Sequence, residues 1–195
     1  MKKLLLLFFA ASLIVSPALA DDKTKASKAK FVIPEFKAVD IDGNDFDLAK
    51  LKGKVVLVDF WATWCIPCLK EIPKLRKMHK ALHEKGFVIV GVANNSKDDL
   101  TSFFESNKKV PWTSVADEKN VVSKDFKVAK WPTTVLIDRK GKLLGVDLSP
   151  VEMLNKIVTE LDLESDPSKT LSAALKELKA EAVAHEKAAH EKDAH

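Results

Sequence analysis

The chain holds two cysteines, three positions apart in Trp64-Cys65-Ile66-Pro67-Cys68. The apolar run Val55-Val56-Leu57-Val58-Asp59-Phe60-Trp61 stands just before them. A strand that ends in such a pair and opens a helix places the first thiol where unpaired backbone N–H groups point at it. Those groups, with the helix dipole, stabilise a thiolate, and the thiolate is the form that attacks disulfides. The spacing therefore points to thiol–disulfide exchange, with Cys65 as nucleophile and Cys68 as resolving thiol. In such a pair the first cysteine is expected to be the more exposed.

Two other uses of the pair are weaker. As a structural staple it would close a very small loop, which constrains the unfolded chain little. As a zinc finger it would need His79 and His83, which follow at a suggestive spacing. Cys68 and His79 fall in one expected helix, however, and eleven residues at ~1.5 Å each separate them by about 16 Å. Zinc, with bonds of about 2 Å, does not span that. No metal site is expected, and both histidines are expected to face solvent.

The elements that must carry the pair follow from the pattern. Val55 to Phe60 is apolar on both faces, so it reads as a central strand. A helix is expected from Cys65 to about Lys85, stopped at Gly86. Phe87 to Val92 reads as a second buried strand. Ser96 is placed to cap a helix that buries Leu100, Phe103 and Phe104. Upstream, Phe36 to Ile41 alternates as a strand before the turn Asp42-Gly43-Asn44. Downstream come a short helix from Val121 to Phe126, a hairpin of Thr134–Asp138 with Leu143–Val146, and a helix capped by Ser149 with Pro150 at its first position. Strand–helix–strand units imply a parallel core, and the hairpin adds an antiparallel edge.

The ends differ from this domain of residues 31–163. Residues 1–20 combine Lys2-Lys3, an apolar stretch and Ala18-Leu19-Ala20, the pattern of a secretory signal cleaved after Ala20. No cysteine follows at the cut, so no lipid anchor is expected there. Residues 21–30 read as a flexible leader, and residues 164–195 as a charged Ala/Lys/Glu/His helical tail. Leu171, Leu175 and Leu178 share one face of that tail before the apolar face fades. His185, His190 and His195 recur every five residues and turn away from one another, so they read as solvated and form no ligand set. The formal charge of +4, with both signs mixed, argues against a nucleic-acid partner. The mature protein is expected to be periplasmic or otherwise exported, and not membrane-spanning.

The stretch from Leu51 through Cys68, followed by Glu71-Ile72-Pro73 and by Trp131-Pro132-Thr133-Thr134-Val135-Leu136-Ile137-Asp138, resembles the thioredoxin superfamily. It is most like the exported TlpA/ResA-like thiol–disulfide oxidoreductases, which include those of cytochrome c maturation. The resemblance implies a thioredoxin-like α/β fold: a central mixed sheet flanked by helices, with an N-terminal β extension. It implies a Cys65–Cys68 redox-active disulfide and no bound cofactor. Protein disulfides would be the substrates, with a membrane or exported protein as electron donor or acceptor. Pro132 matches the family's cis-proline, and Trp131 before it, with Trp64, Ile66 and Pro67, would meet the client. Trp131 departs from the small or aliphatic residue usual there, which leaves client preference open. Asp59 would be the buried acid that exchanges a proton with Cys68, Glu71 a second acid near the site, and Pro73 a helix-kinking proline. Trp61 is expected in the core. Direction of electron flow stays open: an oxidant or isomerase would use the same residues, and thiolates of this kind also suit Cu(I) in an exported carrier.

Overall fold

The computed structural model describes residues 31–163 and 169–193. The expected signal, the leader and His195 lie outside them, as do the side chains of Leu171, His185 and His190. In chain order the elements are β1 (Lys37–Val39), β2 (Asp45–Asp47), β3 (Val55–Trp61), α1 (Ile66–Leu82), β4 (Phe87–Ala93), α2 (Lys97–Ser106), β5 (Thr113–Ala116), α3 (Val121–Asp125), β6 (Thr133–Ile137), β7 (Leu143–Val146), α4 (Pro150–Glu160) and α5 (Lys169–Asp193).

The five-stranded sheet runs β5-β4-β3-β6-β7. β3 is parallel to β4 and antiparallel to β6, so the central strand joins the parallel and antiparallel halves. Every residue of β3 is buried, which is why its sequence shows no alternation. Its two faces feed separate cores. Val55, Leu57 and Trp61 pack with Leu75 and Leu82 of α1 and Leu154 and Ile157 of α4. Val56, Val58 and Phe60 pack on the other side with Phe36 and Phe126. Opposite Asp59 in the register, β4 carries Gly91. A Cβ at Gly91 would come within 3.1 Å of Trp61 Nε1 and 3.3 Å of Trp112 Nε1.

α1 ends as its residues dictate: a short 3-10 turn over His83–Lys85 leads to Gly86, whose φ of 105° favours glycine. At α4, Ser149 Oγ accepts the Glu152 N–H and the Glu152 carboxylate accepts the Ser149 N–H, a reciprocal cap.

The sequence reading needs four corrections. The first strand is shorter than expected, because the Asp40 carboxylate accepts the N–H groups of Asp42 and Asn44 and turns the chain. Two short strands, β2 and β5, were not foreseen; neither has a long apolar run. His79 does not face solvent freely: it is half-buried, its ring 5.9 Å from Trp112 and stacked 4.4 Å from His83. Burial first, and His83 second, hold His79 below the usual imidazole range. The tail helix is not simply solvated. Leu175, Leu178 and Ala182 of α5 are buried, and the two leucines join the core of α1 and α4. The Lys77 ammonium on α1 pairs with Glu181, and Glu186 accepts the Val151 N–H at the start of α4.

Because exposed ion pairs add little, the docking of α5 rests on its leucines. Leu178→Ala is expected to lower the unfolding free energy by about 2–4 kcal/mol, read from urea titrations followed by circular dichroism. An unchanged midpoint would mean that α5 is not packed as described.

Candidate active site

The parallel strands β3, β4 and β5 all end at one edge of the sheet, and antiparallel β6 begins there. Chemistry in open α/β sheets collects at such an edge, because the loops there converge. Here residues 62–65 link β3 to α1, residues 94–96 follow β4, and Trp131-Pro132 precede β6.

Cys65 caps α1. Its backbone is extended, with φ −85° and ψ 94°, and its Sγ accepts the Cys68 N–H at 3.3 Å. Pro67, in the first turn, has no N–H to leave unmet. No acidic side chain lies in that turn to oppose a thiolate. The two cysteines form a disulfide with Cα atoms 5.3 Å apart. The expected asymmetry in exposure is absent: Cys65 is 4% exposed and Cys68 3%. In the disulfide the Cys65 sulfur is turned into the helix start, held by Cys68 on both counts. α1 then runs unbroken through Pro73 to Leu82.

Alternation along β3 puts Asp59 on the face of Leu57 and Trp61, under α1. It is 6% exposed. Burial first, and the negative charge of Glu71 second, push its carboxyl up to about 7. Glu71, half-buried one turn beyond Cys68, pairs with Lys74 at 3.0 Å. Asp59 thus exchanges its proton near neutrality beneath the helix that follows Cys65.

Around the disulfide the surface is apolar. Ile66 is 66% exposed and Trp64 59%; Pro67 is exposed as well. The Trp64 and Trp131 rings meet edge to face at 5.9 Å. The Trp131 indole N–H is buried without a hydrogen-bond partner among the described residues. The Trp131–Pro132 peptide bond is cis. Trp61, by contrast, is buried in the core.

Sequence reasoning gave no role to Asn94 or Asn95. Thr63 donates its N–H to Asn95 Oδ1 at 2.9 Å, and Asn95 Nδ2 donates to Thr63 Oγ1 at 2.8 Å. Nothing local marks this pair, since its members lie 32 residues apart. Among the described residues no group of three or more His, Cys, Asp or Glu side chains is placed to hold a metal ion, and no helix there is long and apolar enough to cross a membrane.

A disulfide at a helix start, above a buried acid, with a cis X–Pro bond leading into β6 of a five-stranded mixed sheet, defines a thioredoxin-like protein. The model of the AhpC/TSA family matches residues 30–146, and the chain belongs to that thioredoxin-like family. It is 32% identical over 111 residues to the thiol-disulfide oxidoreductase ResA of Bacillus thuringiensis subsp. konkukian, covering 57% of this chain and 64% of that protein. With ResA of Bacillus subtilis the identity is 37% over 114 residues, covering 58% and 63%. The chain therefore spans just under two thirds of these relatives. The thioredoxin domain of a thiol-disulfide oxidoreductase from Bacteroides vulgatus superposes with a TM-score of 0.60 at 32% identity, over 68% of this chain and 96% of that one.

The buried acid has a pH signature. Unfolded, Asp59 gives up its proton near 3.8; folded, near about 7. Between these values the folded state binds more protons, so stability falls as pH rises across the window. Asp59→Asn removes that loss. In oxidised protein at pH 8 the variant is expected to unfold at higher urea than the wild type, with the gap closing toward pH 4; an equal gap at both ends would refute the raised proton affinity. A second expectation concerns the indoles. Reduction by dithiothreitol should change tryptophan emission, and Trp64→Phe should remove most of the change; a flat titration would argue against redox activity beside them.

Proposed function

We propose that the protein is an exported thiol–disulfide oxidoreductase that reduces protein disulfides. The observation that carries the reading is the Cys65 sulfur at the start of α1, accepting the Cys68 N–H above buried Asp59. Once the pair is reduced, the same N–H groups favour a Cys65 thiolate. That thiolate attacks one sulfur of a client disulfide. A new S–S bond forms, and the other client sulfur leaves as a thiolate and takes up a proton. An ionised Asp59 then takes the Cys68 proton as Cys68 attacks Cys65, and that proton passes to the second client sulfur as it leaves as a thiol. The client gains two electrons and two protons, and the enzyme ends as the disulfide. An exported or membrane-bound dithiol protein must reset it. Glu71 supports the relay by raising the proton affinity of Asp59.

Trp64, Ile66, Pro67, Trp131 and Pro132 form the platform on which a client segment would lie. The unmet indole N–H of Trp131 costs about 1–3 kcal/mol, which favours a role for that residue beyond stability. The signal pattern of residues 1–20 supports export. The likeness to ResA and to TlpA/ResA-like enzymes favours the reducing direction and, as a setting, cytochrome c maturation.

With dithiothreitol as donor, the wild type is expected to reduce insulin, and Cys65→Ser to lose that activity. Cys68→Ala, recovered from the exported compartment, should carry a client in disulfide linkage to Cys65. Wild-type protein that neither turns over insulin nor, as the Cys68→Ala variant, traps a client would overturn the reading.

A further inference from the structure

The loop of residues 62–65 has to keep Cys65 at the helix start through every turnover, yet it has little of its own to hold it. Within it the Cys65 N–H bonds the Ala62 carbonyl at 3.1 Å. Besides the bonds of Cys65 to the helix start and the Trp64–Trp131 ring contact, its hydrogen bonds come from the loop after β4. Asn95 grips Thr63 at two points, accepting the backbone N–H and donating to the hydroxyl. The Asn94 N–H bonds the Trp61 carbonyl at 2.8 Å, and the Trp64 indole reaches the Asn94 carbonyl at 3.4 Å. One short segment therefore holds the chain at Trp61, Thr63 and Trp64, the approach to Cys65.

That segment is itself anchored. The Asn95 N–H bonds the Ala93 carbonyl at 2.7 Å, closing a tight turn at the end of β4. The Asn94 side chain donates to Asn120 Oδ1 at 2.6 Å. Ser96, the next residue, caps α2 through the Asp99 N–H at 3.1 Å. Asn95 is buried, so water does not compete freely for its amide, and its donor and acceptor face a matched acceptor and donor on Thr63. A carboxamide suits the place because it meets both needs without adding charge beside a thiolate.

Taking the cysteine pair as a thiol–disulfide centre, as proposed above, we infer that Asn95 is a positioning residue for Cys65: its two bonds to Thr63 fix the β3–α1 loop so that the sulfur stays over the N–H groups of α1. It touches neither sulfur and acts through Thr63. Loss of the grip lets the loop move, and the N–H groups that favour the thiolate no longer meet it in a fixed direction.

The test reads Cys65 itself. Reduced full-length protein is alkylated with iodoacetamide across a pH series, and Cys65 labelling is followed by mass spectrometry. Asn95→Ala should shift the labelling midpoint to higher pH and slow labelling at neutral pH by about tenfold, as the loss of two buried hydrogen bonds implies. Thr63→Val, which keeps the N–H bond and loses the hydroxyl, should fall between, at roughly threefold. Thr63→Ser, which keeps both, should label like the wild type. Thermal unfolding of the oxidised proteins runs alongside. If Asn95→Ala does not fold, the Thr63→Val and Thr63→Ser pair decides. Labelling midpoints for Asn95→Ala or Thr63→Val equal to the wild type would overturn the inference, as would Thr63→Ser behaving like Thr63→Val. The labelling is read whether or not insulin is reduced, so failure of the proposed function and failure of the positioning role remain separate results.

Discussion

The first turn of any α-helix carries backbone N–H groups with no carbonyl to receive them. In α1 one of them finds a sulfur instead, the Cys68 N–H on Cys65 Sγ. The rest of the site is arranged around that single bond. It requires Cys65 to stand outside the helix in extended backbone, Cys68 to stand inside it, and the loop from β3 to arrive at one fixed angle. It also explains the lack of acids in the first turn, where a carboxylate would take the same N–H groups and oppose the same charge.

The sheet supplies what the helix start lacks. In the proposed exchange the proton of Cys68 needs an acceptor, and the face beneath α1 is buried. β3 answers by presenting Asp59 in the middle of an otherwise apolar face. The same burial that makes the strand a good core element raises the carboxyl toward neutrality. Packing and chemistry thus share one cause. In the proposed exchange the client side and the proton side are then distinct. Trp64, Ile66 and the Trp131–Pro132 step lie outside the disulfide, and Asp59 and Glu71 lie behind it.

The sequence was most readable where local chemistry and global fold agree. Val55 to Trp61 could hardly be anything but a central strand, and Ser96, Ser149, Pro150 and Gly86 announced helix ends that the structure keeps. The burial of Asp59 could be expected because its strand is apolar on both faces. What failed, or went unseen, depended on distant partners. The burial of Cys65 comes from the way its sulfur folds back onto the helix start. β5 has four residues and owes its existence to the edge offered by β4. The leucines of α5 were visible as a face, but the groove of α1 and α4 that receives them was not. Asn95 lies between a strand and a helix cap with no local mark of its own, and only the fold brings it to Thr63.

Gly91 shows how far the site's demands reach into positions without chemistry. It stands beside Asp59 with the indole nitrogens of Trp61 and Trp112 closing on the space a side chain would fill. Two large rings can flank the acid because their neighbour has no side chain at all. Mutational freedom in this protein is therefore distributed against intuition. The exposed residues around the disulfide pack against little and are open to drift. The smallest residue of β4 faces two rings and the Ser114 hydroxyl, and any side chain there must push the rings aside. Ile66, exposed at the surface, can change size freely, whereas a single added carbon at position 91 presses on two indoles.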